Sequence, residues 1–80
     1  MEANNNIEAI EQYIIDAVRQ RRTDLKISQE KLANELNVSK GFIANVENSN
    51  YRAKYNFKHL NELAKILKCS PRDFLPEKPL

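Results

Sequence analysis

Glycine and cysteine each occur once in this 80-residue sequence, as Gly41 and Cys69, and proline is confined to positions 71, 76 and 79. A lone cysteine excludes an internal disulfide and a cysteine-cluster zinc site. With no proline before Pro71, nothing in the first seventy residues breaks a helix by removing a backbone donor. No apolar run approaches the roughly 18 residues that a membrane-spanning helix needs, and there is no signal-peptide hydrophobic core. The expectation is a cytoplasmic protein with no membrane association. The net charge of +2 is too small to argue for a polyanionic partner by itself. A chain of this length supports one core, burying roughly 60% of the surface exposed when unfolded, and leaves little room for a catalytic module. A single domain over residues 1–80 is expected, with 1–6 and 77–80 as frayed tails.

The distribution of charge says more than its sum. Residues 1–16 carry Glu2, Glu8, Glu11 and Asp16 with no basic side chain, whereas Arg19, Arg21, Arg22 and Lys26 follow directly. Further positive charge stands at Lys40, Arg52, Lys54 and Lys58. One end of the molecule can therefore present a basic surface while the other stays acidic.

The stretch from Ser28 to Asn48, SQEKLANELNVSKGFIANVEN, reads as two short helices and a tight turn. Ser28 is an N-cap for a helix from Gln29 to about Leu36, and Ser39 for a second from Lys40 to about Glu47. Asn37 between them suits a left-handed helix end, because its short polar side chain lowers the penalty of positive φ. Leu32, Ala33 and Leu36 share one face of the first helix. Ile43 and Val46 face inward from the second, with Phe42 at its shoulder and Val38 in the corner. Lys40, Gly41, Ala44, Asn45 and Asn48 remain outward. That face lacks acid, carries amides, and is small where a large side chain could stand, so a rigid polynucleotide can approach it. The competing reading is an ordinary solvated face, for which Glu, Lys and Gln are the usual fillers.

The flanking segments complete a helical bundle. A first helix is expected from Ile7 to about Thr23, with Ile7, Ile10, Ile14, Ala17 and Val18 as its apolar stripe and Tyr13 and Ile15 widening it. In the connection after it, Leu25 and Ile27 are expected to point inward. Asn56 caps a fourth helix whose inward face uses Leu60, Leu63, Ala64 and Leu67, flanked by Phe57 and Ile66. His59 on that helix reads as a surface or phosphate-side residue, since no acid or cysteine cluster accompanies it. Ser70, Pro71 and Asp73 spell a reciprocal capping box for a short fifth helix that carries Phe74 and Leu75 onto the core before Pro76. LNVSKGFI and LKCSPRDFL echo each other faintly as leucine, turn, serine cap and helix. In the loop NSNYRAKYN, Arg52 and Lys54 with Tyr51 beside them can grip phosphates, while Tyr55 is expected to be mostly core.

VRQRRTDLKISQEKLANELNVSKGFIANVEN and HLNELAKILKCSPRDFL together resemble the Cro/phage-repressor-like helix-turn-helix family, also called xenobiotic-response-element-like, over about residues 7 to 75. The resemblance implies an all-α, compact five-helix repressor-like domain with a central helix-turn-helix. It implies sequence-specific binding of double-stranded DNA by a transcriptional regulator, more often a repressor than an activator. Lys40, Gly41 and Asn45 match base-touching positions. Lys40 can donate to guanine, Asn45 can bridge adenine, and Gly41 with Ala44 can floor a thymine methyl. Gln29 matches a phosphate-contacting glutamine. Ser39, Asn48, Arg52 and Lys54 complete the expected phosphate set, and Arg22 with Glu47 match a pair that clamps the first helix to the end of the third.

Two departures from the family stand out: Lys26 and Ser49 occupy positions where glycine is usual. Relatives commonly dimerise on palindromic operators with half-sites about 34 to 36 Å apart, so a homodimer is expected on DNA. The interface is open between the outer face of helix 1, the loop after Glu47 and the tail from Phe74 to Leu80. No cofactor is expected and catalysis is not, since no serine, histidine and acid constellation can be placed. An RNA-binding role lacks an aromatic stacking signature. The main alternative is a protein-interaction or antitoxin-like module whose fold holds a partner protein.

Overall fold

The computed structural model describes residues 7–80, in the order α1 (Ala9–Asp24), α2 (Gln29–Leu36), α3 (Lys40–Val46), α4 (Phe57–Ile66) and a closing 3-10 helix, Pro71–Phe74. There is no strand among the described residues, so the fold is all-α. The expectation for residues 1–6 lies outside the described residues. Helix α1 starts two residues after Ile7 because its cap is Glu8, whose N–H donates to Glu11 Oε1 at 2.9 Å. Ile7 has no side-chain acceptor with which to hold such a helix start.

One joint is built three times. Lys26, Asn37 and Lys68 are the only non-glycine residues with positive φ among those described, at 60°, 64° and 59°. After each comes an apolar residue whose N–H reaches back to the preceding helix: Ile27 to Arg22 O at 3.0 Å, Val38 to Ala33 O at 3.0 Å, and Cys69 to Ala64 O at 2.9 Å. A serine then starts the next helix. Ser28 Oγ accepts from Lys31 N, Ser39 Oγ from Phe42 N and Ser70 Oγ from Arg72 N. The left-handed residue closes the old helix, the apolar residue anchors the corner, and the serine opens the new helix within three residues. The two lysines carry a cost of order 1 kcal/mol that asparagine lessens. The repeated chemistry accounts for the echo between LNVSKGFI and LKCSPRDFL.

These joints wrap the helices around Val18, Leu32, Leu36, Ile43, Leu63, Leu67 and Phe74, all buried. Ile15 is buried on α1, and Ile14 and Ala17 pack at the core margin. Five apolar side chains expected inside are outside. Ile10 is 38% exposed, Tyr13 42%, Leu25 44%, Phe57 89% and Leu75 46%. Leu25 faces out because it precedes the left-handed Lys26, which leaves Ile27 to take the inward place. Phe57 is the first residue of α4, before the helix face turns toward the core. Leu75 stands in extended backbone just past the 3-10 helix, and Phe74 fills the core site instead.

Arg21 adds a long-range tie. Its Nε and Nη2 donate to the Leu67 and Lys68 carbonyls at 2.9 and 3.0 Å, capping the end of α4 from α1. Cations suit such an end because the last carbonyls have no helical partner.

The loop after α3 closes without a left-handed residue. Glu47 ends the helix in right-handed geometry, not Asn48 or Asn50, and Asn48 Oδ1 accepts from Asn50 N at 2.9 Å to form a side-chain turn. Beyond it, Phe42, Tyr55 and His59 pack ring on ring, with centroids 5.2 to 6.0 Å apart. His59 is therefore a packing residue. Its Nδ1 accepts from Asn56 N at 3.1 Å while Asn56 Oδ1 accepts from His59 N at 2.7 Å, a capping box with imidazole in place of the usual carboxylate. Burial chiefly, with Lys58 nearby, holds the His59 pKa below its ordinary 6.5. The neutral ring is the folded form, so its contribution is present above pH 6.5 and is lost as pH falls through the lowered value.

Tyr55 is mostly buried while Tyr51 is exposed. Tyr55 Oη has no hydrogen-bond partner among the described residues, and burial, then the nearby Glu47 charge, pushes its pKa upward. Replacing Tyr55 with phenylalanine removes an unsatisfied hydroxyl while keeping the ring. The expected result is a gain of about 1 kcal/mol, read as a rise of roughly 4 to 8 °C in Tm. A fall in Tm would show that the hydroxyl has a partner that stabilises the fold.

Candidate nucleic-acid interface

Glu47 is the hub that orients α3. Arg22 Nε donates to its Oε2 and Arg22 Nη2 to its Oε1, both at 2.9 Å, while Arg22 Nη1 donates to the Ile27 carbonyl at 2.7 Å. Gln29 Nε2 donates to Glu47 Oε1 at 2.9 Å and is the third hydrogen-bond donor on that carboxylate. The Arg22 and Glu47 side chains are only 10% and 3% exposed, so this pair is not the weak, screened contact of a surface. Arg19, far more exposed, stands 3.9 Å from the same carboxylate. One carboxylate at the end of α3 thus gathers α1, the first connection and the start of α2.

That anchoring leaves the other side of α3 free. Ile43 and Val46 are buried and Phe42 is half-buried, whereas Lys40, Gly41 and Asn48 are exposed and Ala44 and Asn45 half-buried. The side chains of Lys40 and Asn45 have no ion-pair or hydrogen-bond partner among the described residues. The exposed set shares one face because Ser39 fixes the first turn through Phe42 N, which sets the helical phase of all that follows.

Gly41 is informative through what surrounds it. A Cβ placed there would meet only Ser39 Oγ, at 3.9 Å, and the residue has no positive φ. Nothing within the described residues requires glycine, which costs roughly 0.5 to 1 kcal/mol relative to alanine inside a helix.

The other candidate residues differ in availability. Arg52 is exposed without an ion-pair partner among the described residues. Lys54 Nζ lies 2.7 Å from Glu11 Oε2, bridging the pre-α4 loop to α1. That contact first, then the Glu8 N–H, holds the Glu11 carboxyl below its usual range. Gln29 spends one of its two amide N–H donors on Glu47, leaving the other, its carbonyl and its main-chain N–H for any outside group. Ser39 Oγ already accepts as a cap, and Asn48 Oδ1 as a turn. Sequence reasoning did not find the Arg21 tie, the Gln29 donor or the approach of Arg19 to Glu47, for each joins residues distant in the chain.

With helix-turn-helix geometry in place, the profile of the helix-turn-helix family matches residues 18–74, and the chain belongs to that family. Membership supports a DNA-binding, regulatory role in general terms. The restriction-modification controller protein C.AhdI from Aeromonas hydrophila is similar in fold, at a TM-score of 0.67 and 24% identity, over 79% of this chain and 92% of that one. A hypothetical transcription factor, NHTF, from Neisseria superposes at a TM-score of 0.72 and 17% identity, over 95% of this chain and 84% of that one. Hydroxypropylphosphonic acid epoxidase from S. wedmorenis gives 0.71 and 21%, with 84% of this chain covering 35% of the enzyme. A search among curated proteins gives no match. At these identities the likeness is one of fold, and the same fold serves here as a minor part of an enzyme chain. Among the described residues no group of three or more His, Cys, Asp or Glu side chains could hold a metal, and no helix is long and apolar enough to cross a membrane.

Proposed function

We propose that this protein binds a specific double-stranded DNA sequence as a transcriptional regulator, with α3 in the major groove. In this reading Lys40 and Asn45 contact base edges, and Gly41 and Ala44 let the helix lie close to them. Gln29, Ser39, Asn48 and Arg52 contact phosphates and set orientation. Lys54 is the weakest member of that set, since a phosphate must compete with Glu11 at 2.7 Å. A homodimer on a palindromic site, in the cytoplasm and most often repressing, completes the proposal.

The observation that carries it is Gly41, a helix-weakening residue at the exposed start of α3 with open space around its missing Cβ and no internal reason to be small. A close-approaching external surface supplies that reason. A partner protein on the same face is the poorer fit, because the face offers no large apolar anchor of the kind that carries such interfaces.

Selection from random duplexes, followed by titration of the winning site at several salt concentrations, tests the reading. Affinity is expected to fall steeply and linearly on a log–log plot, as phosphate neutralisation requires. Gly41→Ala is expected to raise stability by about 0.5 kcal/mol while weakening the selected site roughly tenfold. Equal affinity for that site in the wild type and the alanine variant would remove the support that Gly41 provides.

A further inference from the structure

Three arginines stand in the second half of α1, and the fold turns two of them inward. Arg22 holds Glu47 and the Ile27 carbonyl, and Arg21 closes the end of α4. Arg19 is the third. Its side chain is 59% exposed and makes no hydrogen bond to the described residues; its ion-pair neighbour is Glu47 Oε1, 3.9 Å from Nε. That separation is beyond hydrogen-bond reach. The Glu47 carboxylate already accepts from three donors at 2.9 Å, two on Arg22 and one on Gln29, so it is held without Arg19.

The acids of its own helix do not hold Arg19 either. Asp16 Oδ1 accepts from Gln12 Nε2 and Asp24 Oδ1 from Gln20 Nε2, both at 2.9 Å. Two guanidinium groups therefore face one carboxylate at the corner where α1, the start of α2 and the end of α3 meet, and the charge left over sits on the exposed group. That corner borders the proposed DNA face. Arg19 Nε and Gln29 Nε2 both approach Glu47 Oε1, so they are near neighbours, and Asn48 follows Glu47 directly in the chain.

We infer that Arg19 is a further phosphate-contacting residue, meeting the DNA backbone at the phosphate that Gln29 contacts. The inference rests on the DNA reading above and extends its contact set to α1. A phosphate brought to this corner meets the unspent guanidinium donors of Arg19 and the second amide N–H of Gln29, while its negative charge offsets the corner's excess positive charge. Arginine suits the task because its planar group stays charged and presents several donors at once. Glu47 then has two effects: it clamps α3 through Arg22, and it draws Arg19 toward the DNA side without tying up its donors.

Titration of the whole chain on a single half-site at several salt concentrations tests the inference, with Arg19→Ala and Arg19→Lys beside the wild type. Arg19→Ala is expected to keep its Tm within a few degrees, since it removes an exposed, screened charge. It is expected to bind matched and scrambled duplexes roughly tenfold more weakly and to lower the salt slope by about one. Arg19→Lys keeps the charge, so the wild-type slope is expected to return with part of the affinity. An alanine variant with wild-type affinity and slope overturns the inference and leaves the DNA reading standing. A weaker alanine variant with a lowered Tm and an unchanged slope also overturns it, because Arg19 would then brace Glu47 and touch no phosphate. A wild type that binds no duplex at low salt overturns both.

Discussion

Glu47→Ala is expected to destabilise the fold by about 3 to 5 kcal/mol, because it strands the nearly buried Arg22 guanidinium without its carboxylate. For a chain of this size that is a fall of roughly 15 to 30 °C in Tm, a large share of the 5 to 15 kcal/mol that holds typical small folds. The Gln29 amide and the end of α3 lose their anchor in the same step. High salt is expected to leave the effect almost unchanged, since counterions screen exposed pairs far more than buried ones. Replacing both partners with apolar residues, Arg22→Met with Glu47→Leu, is expected to recover a substantial part of the stability, because no buried charge is then left alone. Thermal unfolding by circular dichroism reads all three proteins. A loss under 1 kcal/mol for Glu47→Ala would reduce the pair to a bystander and leave α3 held by packing alone.

Asn45→Ala is expected to lose about 10- to 150-fold in affinity for the selected duplex at each half-site, the worth of a bidentate contact to adenine, while scrambled duplexes bind as before. Stability is expected to stay within about 0.5 kcal/mol, because the Asn45 side chain has no hydrogen bond to the described residues. Arg52→Ala provides the contrast. Removing a phosphate contact is expected to weaken all duplexes about equally and to lower the salt slope by about one. Competition binding with matched and scrambled duplexes separates the two behaviours. If Asn45→Ala weakened every duplex alike, Asn45 would have to be reassigned from base reading to backbone contact.

The helix-turn-helix was legible because its signals are local. Ser28, Asn37 and Ser39 each act on backbone groups within a few residues, so their order along the chain already spells helix, turn and helix. The start of α4 at Asn56 and the capping box of Ser70 with Asp73 were legible on the same ground. The resemblance implied the pairing of Arg22 with Glu47, yet the chain alone did not announce that Gln29 would join them or that Arg21 would cap α4.

What the chain by itself determined about this protein is its all-α class, the order of its helices and the residues on the outward face of α3, since capping chemistry and apolar spacing act within a turn or two. Only the tertiary structure decided which apolar residues stay outside. Ile10 and Phe57 carry the same hydrophobic signal as Ile15 and Leu60, but whether each finds a neighbour depends on helices brought together from distant positions. Lys54 shows the same division for charge. Its sequence neighbours suggest a free cation, whereas the fold sets Glu11 of α1 beside it, because an ion pair depends on distance in space and the separation along the chain does not set it.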